Sequence, residues 1–500
     1  MPAMIRRIAA ALVAAAAAAL LAGPAAAQDP LPAAVQAALA QAGVGADALA
    51  VMALPLGHGA APWRHRSEVP VQPGSAMKVV TAVVALDRLG VNATTRTRLL
   101  SVAPLEAGVL RGDLVLQGGS DPDFGVAPLT QMLRRLRDDG ISTLQGDLVL
   151  DRGRYRPTRL DIGEPPFDSR PEGWWNVTPD ALLFDGGLQS YEMQADATTF
   201  SVRMRPALAG VRLDTSAVTL TDRPCGDWDE DWRTPLASES APGVQGVQGV
   251  QVRFQGAFPR NCSEPEDMQL FDRNALVGLW FAQIWRELGG QWSGGVREGS
   301  APTDARELAG HRSRPWGEVL RPLMKTSDNT LTRLLFLELG VAGMAAAPEA
   351  RTLDIARGAV MQWFAERGIP ASGLVLDNGS GLSREERISA HTLARLIEWT
   401  WFSRHGADLL AVLPLAGVDG TLRRRIPGSP ATGVARLQTG TLRNVAALAG
   451  VAYDPQGRPW ALAAIVNHDI GARARPILDA LVDDFARRGP ARRVRAGPQD

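Results

Sequence analysis

Apolar residues recur at three- and four-residue spacing over residues 31–43, Ala76–Leu89, Leu270–Leu288, Ser327–Leu339, Ala350–Arg367, Ala390–Ser403 and Ala472–Arg488. That period predicts helices. Short apolar runs predict strands over 46–56 and 61–66, and again near Val434–Gln438, Asn444–Tyr453 and Trp460–Asn467. Between these blocks residues 98–269 change character, with short strand-like runs broken by prolines, glycines and tryptophans. Gly112-Asp113-Leu114-Val115-Leu116 recurs there as Gly146-Asp147-Leu148-Val149-Leu150, a turn feeding a strand twice. The Gly-Val-Gln run from Gly243 to Gln251 reads as a surface loop or hairpin. Helices, a long β excursion, then helices and antiparallel strands make an α+β layout split by an insertion. Residues 28–97 and 270–490 are expected to form one domain, and 98–269 an inserted, mostly β region of two small domains. Trp174, Trp175, Trp228 and Trp232 lie in that region, as core residues or as stacking surfaces.

The two ends of the 500-residue chain read differently. Arg6 and Arg7 precede an apolar stretch, Ile8–Leu21, and Ala25-Ala26-Ala27 supplies small residues before Gln28. This predicts a cleaved signal peptide over 1–27, because Gly23 and Pro24 break the run where a membrane span would continue. No later segment offers about 18 uninterrupted apolar residues, so no transmembrane span is expected in the mature chain, which leaves peripheral association with wall or membrane open. The Pro- and Arg-rich end, 491–500, is expected to be disordered. Export gives the two cysteines a context: Cys225 and Cys262, 37 residues apart, are expected to pair, with two unpaired buried thiols as the alternative.

Charge excludes one class of function and exposes a second feature. Lys plus Arg and Asp plus Glu both count 53, so no nucleic-acid partner is expected. Only two of the 53 cations are lysines, Lys78 and Lys325, and 51 are arginines. A chain that uses Arg wherever a generic positive charge suffices has kept two amines. Six scattered histidines and two cysteines show no metal-ligand spacing, so no metal centre is expected.

Both amines fall in chemically suggestive places. Ser75-Ala76-Met77-Lys78 opens a helix after Pro73-Gly74, and one helical turn puts hydroxyl and amine on the same face. A desolvated lysine can activate a serine nucleophile. Lys325 precedes Thr326-Ser327-Asp328-Asn329 at the start of another apolar helix, where Ser327 or Asp328 also fits a helix N-cap. A Ser-x-x-Lys followed by Ser-x-Asn and then by Lys-Thr-Gly on a strand is the motif set of penicillin-recognising serine acyl transferases. The third position here reads Gln438-Thr439-Gly440-Thr441.

With these motifs the sequence resembles the class C low-molecular-mass penicillin-binding proteins, the D-alanyl-D-alanine carboxypeptidase/endopeptidase family of the periplasm. The resemblance extends through Asp377–Arg384, Leu413–Gly417, Asp419–Leu422 and Thr439–Gly450. The 252 residues between Ser75 and Ser327 also match a family with extra domains inserted there. The resemblance implies a β-lactamase/transpeptidase-like domain, an antiparallel sheet flanked by helices, and no cofactor. Its substrates would be peptidoglycan peptides, with β-lactams as acylating mimics. It further implies Ser75 as nucleophile, Lys78 as base, Ser327 as proton relay near Lys325, and Asn329 as a holder of Lys78 and substrate. Backbone N–H groups of Ser75 and Thr441 would form the oxyanion hole, and Thr439 and Thr441 would face the substrate carboxylate. No E-x-x-L-N-like segment follows Ser-Asp-Asn, so fast β-lactam hydrolysis is not implied.

Gln438 departs from the family lysine. An amide gives up a charge-assisted bond of about 1.5 to 3 kcal/mol. Arg436, on the same strand face, and Arg443, after Thr441, are the candidate replacements. The alternative is a catalytically impaired homologue that binds wall peptide or a partner.

Overall fold

The computed structural model describes residues 29–163 and 165–490. The expected signal peptide and the expected disordered tail lie outside them. The chain enters through α1 (Ala33–Ala42), β1 (Leu49–Pro55), β2 (Trp63–His65) and α2 (Lys78–Arg88). It leaves through β3 (Arg96–Ser101), β4 (Leu114–Gln117), α3 (Val126–Asp138), β5 (Leu148–Asp151), β6 (Gln189–Ala195), β7 (Phe200–Arg205) and β8 (Val211–Thr221). The excursion continues with β9 (Trp232–Val244), β10 (Val247–Pro259), β11 (Ser263–Met268), α4 (Arg273–Glu287), β12 (Val296–Glu298) and β13 (Arg306–Arg312). It returns through α5 (Trp316–Thr326), α6 (Asn329–Val341), α7 (Thr352–Glu366), α8 (Ala390–Phe402), β14 (Arg436–Leu442), β15 (Val445–Tyr453), β16 (Pro459–Asn467) and α9 (Arg475–Arg488).

First and last strands meet in one antiparallel sheet of order β2-β1-β16-β15-β14. Its small alternating residues explain why helices cover both faces. Ala447, Ala449, Ala463 and Ile465 face a core built from α2, α5, α6, α7 and α8. Ala446, Leu448, Ala464 and Val466 face α1 and α9. The period of two along β15 and β16 thus sends successive side chains into different cores. β14 is the edge strand, with Gln438 opposite Ala449 and Thr441 opposite Ala446.

The insertion differs from expectation in extent. It is mostly β, as expected, with α3 packed among its strands. Leu129, Met132, Leu133 and Leu136 give α3 its buried face. It does not end at 269. β12 pairs in parallel with β5, and β13 pairs antiparallel with β3, so the excursion runs to Arg312. Leu99, Leu150, Tyr191, Val252, Phe254, Leu133 and Trp285 belong to one apolar cluster drawn from all its main sheets and both helices. Trp228 and Trp232 pack 5.5 Å apart against that cluster, in the core role, whereas Trp174 is exposed. The Gly-Val-Gln run forms the β9–β10 hairpin, turning at Gln245 and Gly246, both with positive φ. Cys225 and Cys262 form a disulfide, their Cα atoms 5.4 Å apart. Among the described residues, no helix is long and apolar enough to cross a membrane.

Candidate active site

The site lies where α2, the α5–α6 junction and the edge strand β14 converge. Pro73 leads into a 3-10 turn, Gly74–Met77, that passes directly into α2. Ser75 therefore sits at the mouth of the helix, and Lys78 is its first α-helical residue. Close backbone approach requires glycine at two points. A Cβ on Gly440 would lie 2.4 Å from the Pro73 carbonyl oxygen, and one on Gly381 would lie 1.9 Å from that of Gly74. Larger residues at either position would push the edge strand or the 377–383 turn away from Ser75.

Lys78 is fully buried, and its Nζ has three partners: Ser75 Oγ at 2.9 Å, Asn329 Oδ1 at 2.6 Å and the Ser380 carbonyl oxygen at 2.6 Å. Asn329 Oδ1 and the Ser380 carbonyl can only accept. A neutral amine satisfies both with its two N–H bonds and keeps its lone pair for the Ser75 hydroxyl proton. Burial drives the Lys78 amine from 10.5 down to about 7, against the opposing pull of Asp328 and Glu386. The geometry and the electrostatics both suit a base.

Ser327 and Asp328 alone link α5 to α6. Ser327 closes α5 in the left-handed conformation, φ 60°, which costs a non-glycine residue about 1 to 3 kcal/mol and is typical of functional sites. Asp328 caps α6 by accepting from the Leu331 N–H at 2.8 Å, and burial holds its carboxyl above the ordinary range. Asn329, first in α6, also donates from Nδ2 to the Trp175 carbonyl at 3.1 Å. The insertion therefore reaches into the site.

On β14, Gln438 is fully buried and donates from Nε2 to Ser327 Oγ at 3.2 Å and to the Thr439 carbonyl at 3.3 Å. Its Oε1 has no hydrogen-bond partner. Thr439 Oγ1 lies 2.8 Å from Thr421 Oγ1, and Thr441 Oγ1 accepts from Arg475 at 3.3 Å.

Ser75, Lys78, Asn329, Ser327, Gln438 and the Thr439-Gly440-Thr441 strand thus come together as the sequence suggests. Three expected binding residues do not join them. Lys325 turns its ammonium to both oxygens of Asp419 and to the Leu413 carbonyl, which uses all three donors. That ion pair holds the turn carrying Thr421, so Lys325 is a brace. Arg436 donates to the Leu410 carbonyl at 3.2 Å, and Arg443 is exposed beyond the strand end. Neither replaces the missing amine.

The sequence reading missed Glu386 and Arg475, and it named Trp175 only as a core or stacking residue and Thr421 only within the Asp419–Leu422 stretch. Glu386 is fully buried and gathers the turn beside Lys78, accepting from backbone N–H groups of Asp377, Asn378 and Gly379 on Oε1 and of Gly381 on Oε2. Its signal is the acid just beyond the Gly-rich Asp377–Arg384 stretch that carries part of the resemblance.

A family model described as the D-Ala-D-Ala carboxypeptidase 3 (S13) family matches residues 31–488. The D-alanyl-D-alanine carboxypeptidase of Actinomadura sp. is 27% identical over 437 residues, covering 82% of this chain and 76% of that protein. The D-alanyl-D-alanine carboxypeptidase DacB of Haemophilus influenzae is 26% identical over 401 residues, covering 79% of this chain and 80% of its own. The crystal structure of penicillin binding protein 4 (dacB) from Haemophilus influenzae shares the fold. It aligns with a TM-score of 0.70 at 23% identity, over 87% of this chain and 95% of that one. The same protein complexed with a novel β-lactam aligns at 0.69 and 22%, with the same coverage.

Proposed function

The chain belongs to the D-Ala-D-Ala carboxypeptidase 3 (S13) family, and we propose that it works as a periplasmic serine peptidase acylated on Ser75. It is a hydrolase of the D-alanyl-D-alanine carboxypeptidase type. The observation that carries the Ser75 assignment is the 2.9 Å contact between Ser75 Oγ and an amine with no water-facing surface. In this reading Lys78 removes the Ser75 proton as Oγ attacks the carbonyl of the penultimate D-Ala in a peptidoglycan stem. The backbone N–H groups of Ser75 and Thr441 receive the developing oxyanion, each such donor contributing about 2.7 to 4 kcal/mol in serine hydrolases. The proton passes through the Ser327 hydroxyl to the leaving amine, and water then cleaves the ester. Asn329 keeps Lys78 aimed at Ser75. Cross-links ending in the same D-Ala bond make endopeptidase action a second outcome of the same step, and a β-lactam carbonyl can acylate Ser75 in place of the peptide.

Incubation with a fluorescent penicillin tests the assignment. One covalent label per chain, mapped to the Ser75 peptide and absent in Ser75→Ala, is the expected result. A native chain that takes no label favours the impaired-homologue reading, to which the unpartnered Oε1 of Gln438 lends its support.

A pH profile tests Lys78 independently. The base form is the neutral amine, and an amine at about 7 becomes neutral as pH rises past that value. Penicillin acylation should therefore climb with pH around a midpoint near 7 and level off above it. A midpoint close to the ordinary 10.5 would contradict a buried lysine base.

A further inference from the structure

Resting on the proposed function, the question left by Gln438 is where the substrate's terminal carboxylate finds its positive charge. The amide of Gln438 is turned to Ser327, on the relay side of the strand. At the other side, Arg475 donates from Nη2 to Thr441 Oγ1 at 3.3 Å. Among the described residues, no other cationic side chain hydrogen-bonds to Thr439 or Thr441. Arg475 is the first residue of α9, an electrostatically poor position for a cation, since the helix N-terminus is itself positive. The nearest acid acts on it only at a distance. Asp479, one turn along, is engaged by Arg425 from Nε at 3.1 Å and from Nη2 at 2.6 Å, and no ion pair joins Arg475 to a described residue. Arg475 is exposed, and partial desolvation, then the nearby Arg425 charge, hold its guanidinium below its ordinary range against the pull of Asp479. The edge strand is therefore bordered by an exposed guanidinium that makes no ion pair and donates to a threonine hydroxyl.

We propose that Arg475 receives the terminal carboxylate of the substrate, so that the two tasks of one motif lysine are divided between Gln438 and Arg475. By donating to Thr441 Oγ1, Arg475 leaves the threonine's own proton free to point into the cleft as a second donor. The remaining N–H groups of the guanidinium fork supply the charge-assisted contact.

The test uses the full mature chain and two D-alanyl thioesters, one with a carboxylate at the end of its leaving group and one with a carboxamide there. Arg475→Ala should lower kcat/KM for the carboxylate thioester about 10- to 100-fold and leave the carboxamide within about 2-fold. Arg475→Lys should recover part of the loss. Gln438→Lys placed in the Arg475→Ala chain should do the same by returning the charge to the strand. Equal losses on both thioesters, or no loss on either, overturn the assignment of Arg475 and leave the Ser75 mechanism standing. Failure of the native chain to turn over either thioester in a Ser75-dependent way overturns the mechanism itself.

Discussion

Lys78→Ala slows penicillin acylation of Ser75 by about 10²- to 10⁴-fold, the range a positioned general base contributes. The size follows from the absence of a substitute. Lys325 is held by Asp419, and Arg475 carries a guanidinium that does not deprotonate. Lys78→Arg is the more informative partner variant. It keeps the charge and the hydrogen-bonding capacity that could hold Asn329 and the Ser380 carbonyl, but it cannot accept the Ser75 proton. Acylation should slow by a similar factor in both. The thermal midpoint should fall in the alanine variant, because the buried Asn329 Oδ1 and Ser380 carbonyl lose their donor, so labelling is compared well below both midpoints. An arginine variant that labels at the native rate would show that the amine acts only by charge, and the base role would be wrong.

Glu386→Ala should destabilise the fold by about 3 to 5 kcal/mol, the cost of breaking a buried charged network from one side. Four backbone N–H groups lose their acceptor at once, and those of Asn378, Gly379 and Gly381 lie in a buried stretch of the turn. Burial has already pushed this carboxyl to about 7, against the pull of those same N–H groups. The turn they form presents the Ser380 carbonyl to Lys78, so the acylation rate should fall along with the denaturation midpoint. Urea unfolding of the variant, followed by far-UV dichroism, gives the number. A loss below about 1 kcal/mol would mean that the turn holds its shape without the carboxylate.

Most of the catalytic architecture was legible because it is written in contiguous patterns. The apolar runs of residues 444–453 and 460–467 and the helical period of 76–89 and 327–339 survive as β15, β16, α2 and α6. Ser75 and Lys78 are one turn apart on a single helix start, and Ser327 and Asn329 lie on one tight junction, so local geometry alone brings each pair to the site. What escaped depends on distant pairing. α3 carries its apolar residues at helical spacing but lies among prolines and glycines that resemble strand punctuation. α4 has an apolar run like that of a catalytic helix, and only the parallel pairing of three residues, Val296–Glu298, reveals which core it serves. Lys325 was misjudged for a similar reason. Scarcity marked its amine as special, but the partner that explains it, Asp419, is 94 residues away. Arg475 could not be singled out among 51 arginines until Thr441 was seen beside it.

The contact between Asn329 and the Trp175 carbonyl has company along the same seam. Thr330 and Arg333 donate to the Val177 carbonyl at 3.2 and 3.0 Å, and Tyr155 donates to Glu338 at 2.7 Å. Four residues on successive turns of α6 are thus fastened to the excursion rather than to their own sheet. A chimera that exchanged residues 96–312 for the equivalent cassette of a relative would carry foreign wiring into the active centre. Grafting the excursion alters the orientation of Asn329, and with it the aim of Lys78, even when every motif residue is kept.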